Sequence, residues 1–512
     1  VSRLKNSYKN LIASGISQLI GILLKFVTRT IFIQILGPKY LGINGLFTNI
    51  LSMLSLAELG VGAAITFNLY KPVAEKNIQQ IVMLMKFYRN AYRVIGLFIA
   101  SVGLALIPFL PLIIKDDLSF IPVTLIFILY LLQSVTSYLF FAYKSAIIKV
   151  NQKEFIITYI ASVFSIMANI VQIILLIFFK NFQLYVFTLV VFGILQNLFI
   201  AHKAGKLYPY INERQTAILP KGERRQIRNN CFAISIYKFN TVIQNATDNI
   251  VLSTFIGLEI VGKYSNYLLI VTTIKNILNK FYTAIRASVG DLHAQGDTEH
   301  EHLIFRVVGF FTICVFGFAA VSTYAFANEF IAIWIGSEYV FSQYFTSLLA
   351  FEIYLFGLQK NLATFRTSMG LFQQAKYRPL FGSIINIVLS VILVQRIGIY
   401  GVLIGTIVAS LTTYMWFDPL IIYRNVFRKP VRCYYAQNIK YFCSIVLSAI
   451  LSRFVSKLFL DAGLAYVLSS LCISFLITAT IIFIFYGRSE EFKYLIKILK
   501  RSKVFKSVIR KK

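Results

Sequence analysis

Ionisable side chains occur in this chain where water should be scarce. Lys25 and Arg29 fall in the apolar stretch 11–36, Glu58 in 41–70, Lys238 and Asp248 in 230–256, and Lys275 and Lys280 in 261–285. Each would cost about 3 kcal/mol at bilayer depth on insertion scales, so it should face a wet cavity or a partner. Ser14, Gln18, Gly21, Lys25, Thr28 and Arg29 recur at steps of three and four, which places them on one helical face. Moving on by 220 residues meets a second stripe, Lys238, Thr241, Asn245 and Asp248. A further pair of stripes follows the same pattern: Asn44, Thr48, Ser52, Ser55 and Glu58, then Thr272, Asn276, Asn279 and Thr283. Cations outnumber acids on these faces. The chemistry such a lining supports is anion holding, because ammonium and guanidinium groups in a low dielectric attract phosphate or carboxylate strongly. Lys25 and Arg29 are the first candidates for substrate contact, followed by Lys238, Lys275, Gln18 and Asn245. Uneven charge between the stripes puts the anion in the N-terminal half. Glu58 and Asp248 are candidates to bind a coupling proton or sodium ion. The competing structural reading pairs Glu58 with Lys25 or Arg29, lets Lys280 snorkel to the interface, and leaves Glu352 and Asp418 as packing or interface groups.

Other chemistry is weakly signalled. The run 291–302 holds Asp291, His293, Asp297, Glu299, His300, Glu301 and His302, yet metal ligation needs a convergent geometry that a short polar connector does not guarantee. It reads as a solvated cytosolic loop, and no metal, cofactor or catalytic residue is expected. The five cysteines show no CxxC spacing, so neither a disulfide framework nor a zinc site is implied. Gly60-Val61-Gly62 lies inside an apolar run and reads as a place for close helix contact. No GxxxxGK[ST] motif exists, which argues against ATP hydrolysis by the chain itself.

The elements that must carry these residues follow from composition. Hydrophobic residues make up 58% of the 512, charged residues 14%, and the mean hydropathy is +0.72. That balance belongs to a chain in lipid. About 20 apolar residues cross a bilayer, and uninterrupted apolar runs exclude a barrel. The expected fold is an all-α polytopic membrane protein of about fourteen transmembrane helices. Spans are predicted near 11–36, 41–70, 94–114, 119–143, 155–179, 182–201, 230–256, 261–285, 307–333, 342–365, 378–395, 398–423, 434–460 and 464–486.

Two of these regions share a glycine frame, Gly37 to Gly42 and Gly257 to Gly262. Six predicted spans separate the copies, an even number, so both enter the membrane from the same side and the halves are parallel repeats. The domain reading is therefore an N-terminal six-helix lobe (1–205), a basic cytosolic linker (206–229), a C-terminal six-helix lobe (230–430), an appended helix pair (431–487) and a basic cytosolic tail (488–512). The net charge of +31 invites a nucleic-acid partner. Most Lys and Arg fall in alternate connectors, however, as the positive-inside rule requires with both termini cytosolic, so membrane lipids and no nucleic acid are expected. In the tail, Phe492, Leu495, Ile496 and Leu499 share one face among lysines, the pattern of an amphipathic helix on an anionic inner leaflet.

Three segments carry a resemblance: Leu36 to Asn77, Tyr92 to Gly96 and Val261 to Leu292. Through them the chain resembles the Wzx-like lipid-linked oligosaccharide flippases of the multidrug/oligosaccharidyl-lipid/polysaccharide (MOP) exporter superfamily, which also holds the MATE drug exporters. The resemblance implies a MATE-like fold of two lobes with a cavity open to one side at a time. It also implies a bacterial inner-membrane flippase, not an enzyme, that moves undecaprenyl-pyrophosphate-linked oligosaccharide repeat units from the inner to the outer leaflet for capsule, O-antigen or related polysaccharide assembly. A polysaccharide polymerase is the implied protein partner. The alternative on the same fold is an ion-coupled multidrug or cation exporter, which would favour an acidic or apolar cavity. The GxxxDRxGRR-like loop of major-facilitator transporters is absent after the second span, and the outer loops are too short for a membrane glycosyltransferase or polymerase.

Overall fold

The computed structural model describes residues 2–55, 61–116, 121–139, 141–212, 219–225, 227–228, 247–371, 373–375, 377–459 and 463–501, with no strand among the described residues. Backbone groups in hydrocarbon must find partners within their own segment, so apolar runs become helices. Among the described residues eight helices are long and apolar enough to cross a bilayer, and the pair Val123–Leu139 and Ala142–Val150, bent by 47°, passes the same test when its two helices are taken together. Their outer faces carry side chains that a water-soluble protein would bury: Leu112 is 73% exposed, Phe178 76% and Ile484 69%. The chain is a multi-pass, all-α membrane protein, and these eight helices and the bent pair lie on nine of the fourteen spans predicted above. The span expected over 230–256 is described only from residue 247, and the span expected over 41–70 is two helices on either side of 56–60, which lie outside the described residues.

The chain divides into two compact units, Val1–Gly262 and Lys263–Lys512. The first contains α1 (Ser2–Leu36), α2 (Pro38–Leu54), α3 (Val61–Ala74), α4 (Ile78–Leu106), α5 (Val123–Leu139), α6 (Glu154–Phe179) and α7 (Phe182–Leu207). Helix α8 (Leu258–Ala294) starts in the first unit and continues into the second. There it is followed by α9 (Thr298–Ile335), α10 (Gln343–Ser368), α11 (Arg378–Ile397), α12 (Ile399–Ala409), α13 (Arg432–Phe459), α14 (Leu464–Tyr486) and α15 (Glu490–Arg501). Beyond α12 the chain stays helical through π-helical turns at Ser410–Met415 and Tyr423–Phe427.

Aromatic contacts close the first unit. The Phe32 ring of α1 lies edge-on to Phe182 at 5.6 Å and to Tyr185 at 5.0 Å, and Phe47 of α2 lies 5.1 Å from Phe127 of α5. In the second unit α9 packs against α10, α13, α14 and α15. Ser444, Ser448, Ser452 and Ser456 on α13, and Ser470, Ser474 and Thr478 on α14, are all buried at steps of four. Small side chains at that spacing let helix backbones approach closely where burial of apolar surface gives no driving force.

The glycine frame has a backbone cause. Gly37 (φ 83°) and Gly257 (φ 136°) adopt conformations that other L-residues rarely take, immediately before α2 and α8. Five residues on, a Cβ on Gly42 would overlap the carbonyl oxygen of Leu258, and a Cβ on Gly262 would overlap that of Pro38. Pro38 and Leu258 are themselves related by the 220-residue offset, so the crossing is reciprocal. The offset also joins two helix starts: Lys76 (φ 54°) precedes Asn77, which accepts from the Gln80 amide at 3.0 Å, and Gly296 (φ 77°) precedes Asp297, which accepts from the His300 amide at 3.0 Å. Beside the crossing, Asp116 Oδ2 accepts from the Leu258 amide at 2.6 Å and Lys115 Nζ donates to the Phe255 carbonyl at 3.0 Å. A carboxylate at the first amide of α8 satisfies a donor the helix cannot.

Two polar segments differ from their sequence reading. The run 291–302 is not a loop: α8 continues to Ala294 and α9 begins at Thr298. Glu301 is buried with its carboxylate 3.0 Å from His293 Nδ1, because the two helix ends bring these groups face to face. Among the described residues no three His, Cys, Asp or Glu side chains converge to hold a metal. Helix α15 is present as expected, but Phe492 and Leu495 pack on the core of the second unit. Arg306 of α9 draws it in, pairing with Glu490 and lying 3.5 Å from Glu491.

Candidate functional site

In the first unit the stripe on α1 divides. Thr28 is buried and donates to Asn169 Oδ1 of α6 at 2.8 Å. Arg29 is half-buried within electrostatic reach of the Tyr185 hydroxyl on α7. Lys25 is exposed. The stripe on α2 divides similarly: Asn44 accepts from the Tyr130 hydroxyl at 2.5 Å, while Thr48 and Ser52 are exposed. Residues on one helical face need not share one role, since an α-helical face spans enough arc to meet both a neighbouring helix and an opening. Asp248 is half-buried in the helical stretch 247–255, between buried Thr247 and Asn249. Glu58, Lys238 and Asn245 lie outside the described residues, as does the side chain of Gln18.

The second unit holds a compact charged cluster. Lys275 of α8 donates to Glu352 Oε1 of α10 at 2.6 Å, with the two side chains only 15% and 20% exposed. The Lys275 ammonium lies 4.9 Å from the centroid of the Phe356 ring, and Lys360 lies 5.0 Å from the same centroid. Glu352, Phe356 and Lys360 are spaced by four on α10, so one stripe of that helix meets Lys275. Arg286, further along α8, is exposed, and its carbonyl accepts from Ser368 Oγ at 3.2 Å. Thr272, Asn276, Lys280 and Thr283 of α8 are exposed as well. The cluster can hold an anion, because its cations exceed its single carboxylate and its half-burial weakens screening by water.

Lys275 was among the residues singled out from the sequence, whereas Lys360, which lies against the same ring, was not. The signal was available in the i, i+8 spacing of Glu352 and Lys360, which puts two charged groups on one face of α10 with Phe356 between them. Asp418 has a different place. Its carboxylate pairs with Arg378 and lies 3.5 Å from Arg366 Nε, with all three side chains nearly buried. The Arg378 guanidinium also stacks 4.3 Å from the centroid of Tyr414. This triad ties the end of α10 and the start of α11 to the helical stretch Trp416–Ile422.

No family model and no curated protein sequence matches the chain. Solved structures do. The chain is similar to the lipid II flippase MurJ in an inward closed conformation, with a TM-score of 0.63 and 16% identity over 93% of this chain and 98% of that one. It is also similar to an inward-facing multidrug resistance MATE family transporter of the MOP superfamily, with a TM-score of 0.60 and 14% identity over 78% and 94% of the two chains. The eukaryotic MATE transporter AtDTX14 matches with a TM-score of 0.55 and 12% identity over 84% and 98%. The fold is thus MATE-like.

Proposed function

We propose that the chain is a bacterial inner-membrane flippase that moves an undecaprenyl-diphosphate-linked oligosaccharide from the inner to the outer leaflet by alternating access, with both termini cytosolic. The observation that carries this reading is the cationic character of half-buried helix faces, Arg29 in the first unit and Lys275 in the second. A diphosphate suits these cations, the exposed Thr and Asn side chains suit sugars, and a lipid tail can stay in the bilayer. The likeness over nearly the full chain to a protein described as a lipid II flippase supports the same substrate class. Lys25 and Arg29 of the first unit are assigned to diphosphate contact, Lys238, Gln18 and Asn245 of that unit to further substrate contact, and Lys275 to substrate contact in the second unit. Glu58 and Asp248 are assigned to a coupling proton or sodium ion, and a polysaccharide polymerase is the protein partner that would consume the product.

An exporter of organic cations would gain nothing from these groups, since like charges repel at close range. The test is a binding comparison on the purified full chain. An undecaprenyl-diphosphate oligosaccharide in mixed micelles should raise the melting temperature and lose that effect in Arg29→Ala, while an organic cation such as ethidium should leave it unchanged. Stabilisation by ethidium alone would overturn the assignment.

A further inference from the structure

Lys360 lies within α10, eight residues before its end, and is half-buried. At a rise of about 1.5 Å per residue that puts it about 12 Å along the helix from its C-terminus. The charges it feels are the Arg286 guanidinium and the Lys275 ammonium. Among the described residues the one carboxylate of this cluster, Glu352, is engaged by Lys275 at 2.6 Å. Two ammonium groups therefore lie against one aromatic ring, Phe356, and among the described residues only Lys275 is paired with a carboxylate.

We propose that Lys275, Lys360 and Phe356 form an anion site for a diphosphate group in the second unit, and that Glu352 is its internal counter-ion, displaced when the ligand binds. The source of the diphosphate rests on the flippase reading; the site itself does not. The physical case has three parts. A half-buried ammonium without a partner is costly, so an empty site needs a carboxylate to hold Lys275. A diphosphate carries more negative charge and more acceptor oxygens than a carboxylate, so it can take both Lys275 and Lys360 with charge-assisted hydrogen bonds. The displaced Glu352 then repels the bound ligand, which keeps affinity low enough for release, as a transport site requires. The Phe356 ring attracts both cations through its quadrupole and holds them in place whichever anion is present.

The sign of one substitution separates this device from a simple helix tie. Glu352→Gln keeps the side-chain length and a hydrogen-bond acceptor but removes the negative charge. If Glu352 only locks α8 to α10, the substitution loosens the protein and binding of inorganic diphosphate stays the same or weakens. If Glu352 is the displaced counter-ion, binding tightens by about tenfold, the scale of one charge pair at a few ångströms in a partly screened site. Lys360→Gln, which breaks no ion pair among the described residues, should weaken binding by about tenfold. The measurement is calorimetric titration of the detergent-solubilised full chain with inorganic diphosphate. Failure of Glu352→Gln to bind more tightly, or unchanged affinity in Lys360→Gln, overturns the proposal; should Glu352→Gln not fold, Lys360→Gln decides alone. A second arm adds undecaprenyl diphosphate in micelles. Its displacement of inorganic diphosphate supports a lipid headgroup as the natural ligand, and lack of competition overturns that source. Leaflet-to-leaflet transport is scored separately, so a wild-type chain that binds diphosphate in the stated pattern but moves no lipid would sink the flippase reading and leave the site standing.

Discussion

Replacing Asp418 with asparagine should unfold the second unit at a markedly lower temperature. Asp418 is 1% exposed, and Arg366 and Arg378 around it are 3% and 6% exposed. The substitution preserves volume and an acceptor oxygen but leaves two guanidinium groups in a nearly dry site without their carboxylate. Removing one partner of a buried ion pair costs about 3–5 kcal/mol, because the remaining charge cannot recover its hydration. At about 2–4 °C per kcal/mol for a unit of this size, the transition should fall by roughly 6 °C or more. The chain has two tryptophans, and one of them, Trp416, stands two residues before Asp418. Intrinsic fluorescence during thermal unfolding of the full chain therefore reads this neighbourhood directly. A compensating variant sharpens the argument: Arg366→Met added to Asp418→Asn removes one of the stranded cations and should recover part of the loss. An Asp418→Asn chain that melts within about 1 °C of the parent would refute the claim that this carboxylate neutralises a buried charge excess.

Two further outcomes follow from the packing. Gly42→Ala and Gly262→Ala each place a methyl group against a backbone carbonyl that cannot rotate away, so each should destabilise the chain by about 1–3 kcal/mol. Because both act on one crossing, the double variant should lose less than the sum of the two in the same melting experiment. Arg306→Ala should release α15 from α9 by leaving Glu490 and Glu491 without their common partner, and limited trypsin digestion should then cut at Lys493 and Lys497 faster than in the parent chain. Unchanged cleavage would show that Phe492 and Leu495 hold the helix without the ion pairs.

Much of the fold was legible in the residues because hydrocarbon leaves the backbone few choices. Long apolar runs must be helices, and a glycine that recurs at a fixed offset marks a place where a backbone carbonyl arrives, as Gly42 and Gly262 demonstrate. The site was less legible. Lys275 and Glu352 are far apart in sequence and meet only because α8 packs on α10, so neither stripe by itself reveals the pair. Thr28 and Asn44 share faces with Lys25 and Thr48 yet turn into the first unit, since Asn169 and Tyr130 supply partners that periodicity does not show. The run 291–302 looked like a solvated loop because its polarity is high. Asp297 instead caps α9 and His293 meets the buried Glu301, so the polarity serves two helix ends. Glu58, Lys238 and Asn245 fall outside the described residues, and their assignments rest on the helical-face argument.

Transport itself is the claim most open to direct measurement. Vesicles holding the full chain and a fluorescent undecaprenyl-diphosphate oligosaccharide on one leaflet should show that lipid becoming accessible on the other leaflet faster than in protein-free vesicles. The combined Lys25→Ala and Arg29→Ala variant should slow that transfer. Transfer no faster than in protein-free vesicles would contradict the flippase account, and parental rates in the double variant would remove these two cations from the substrate site.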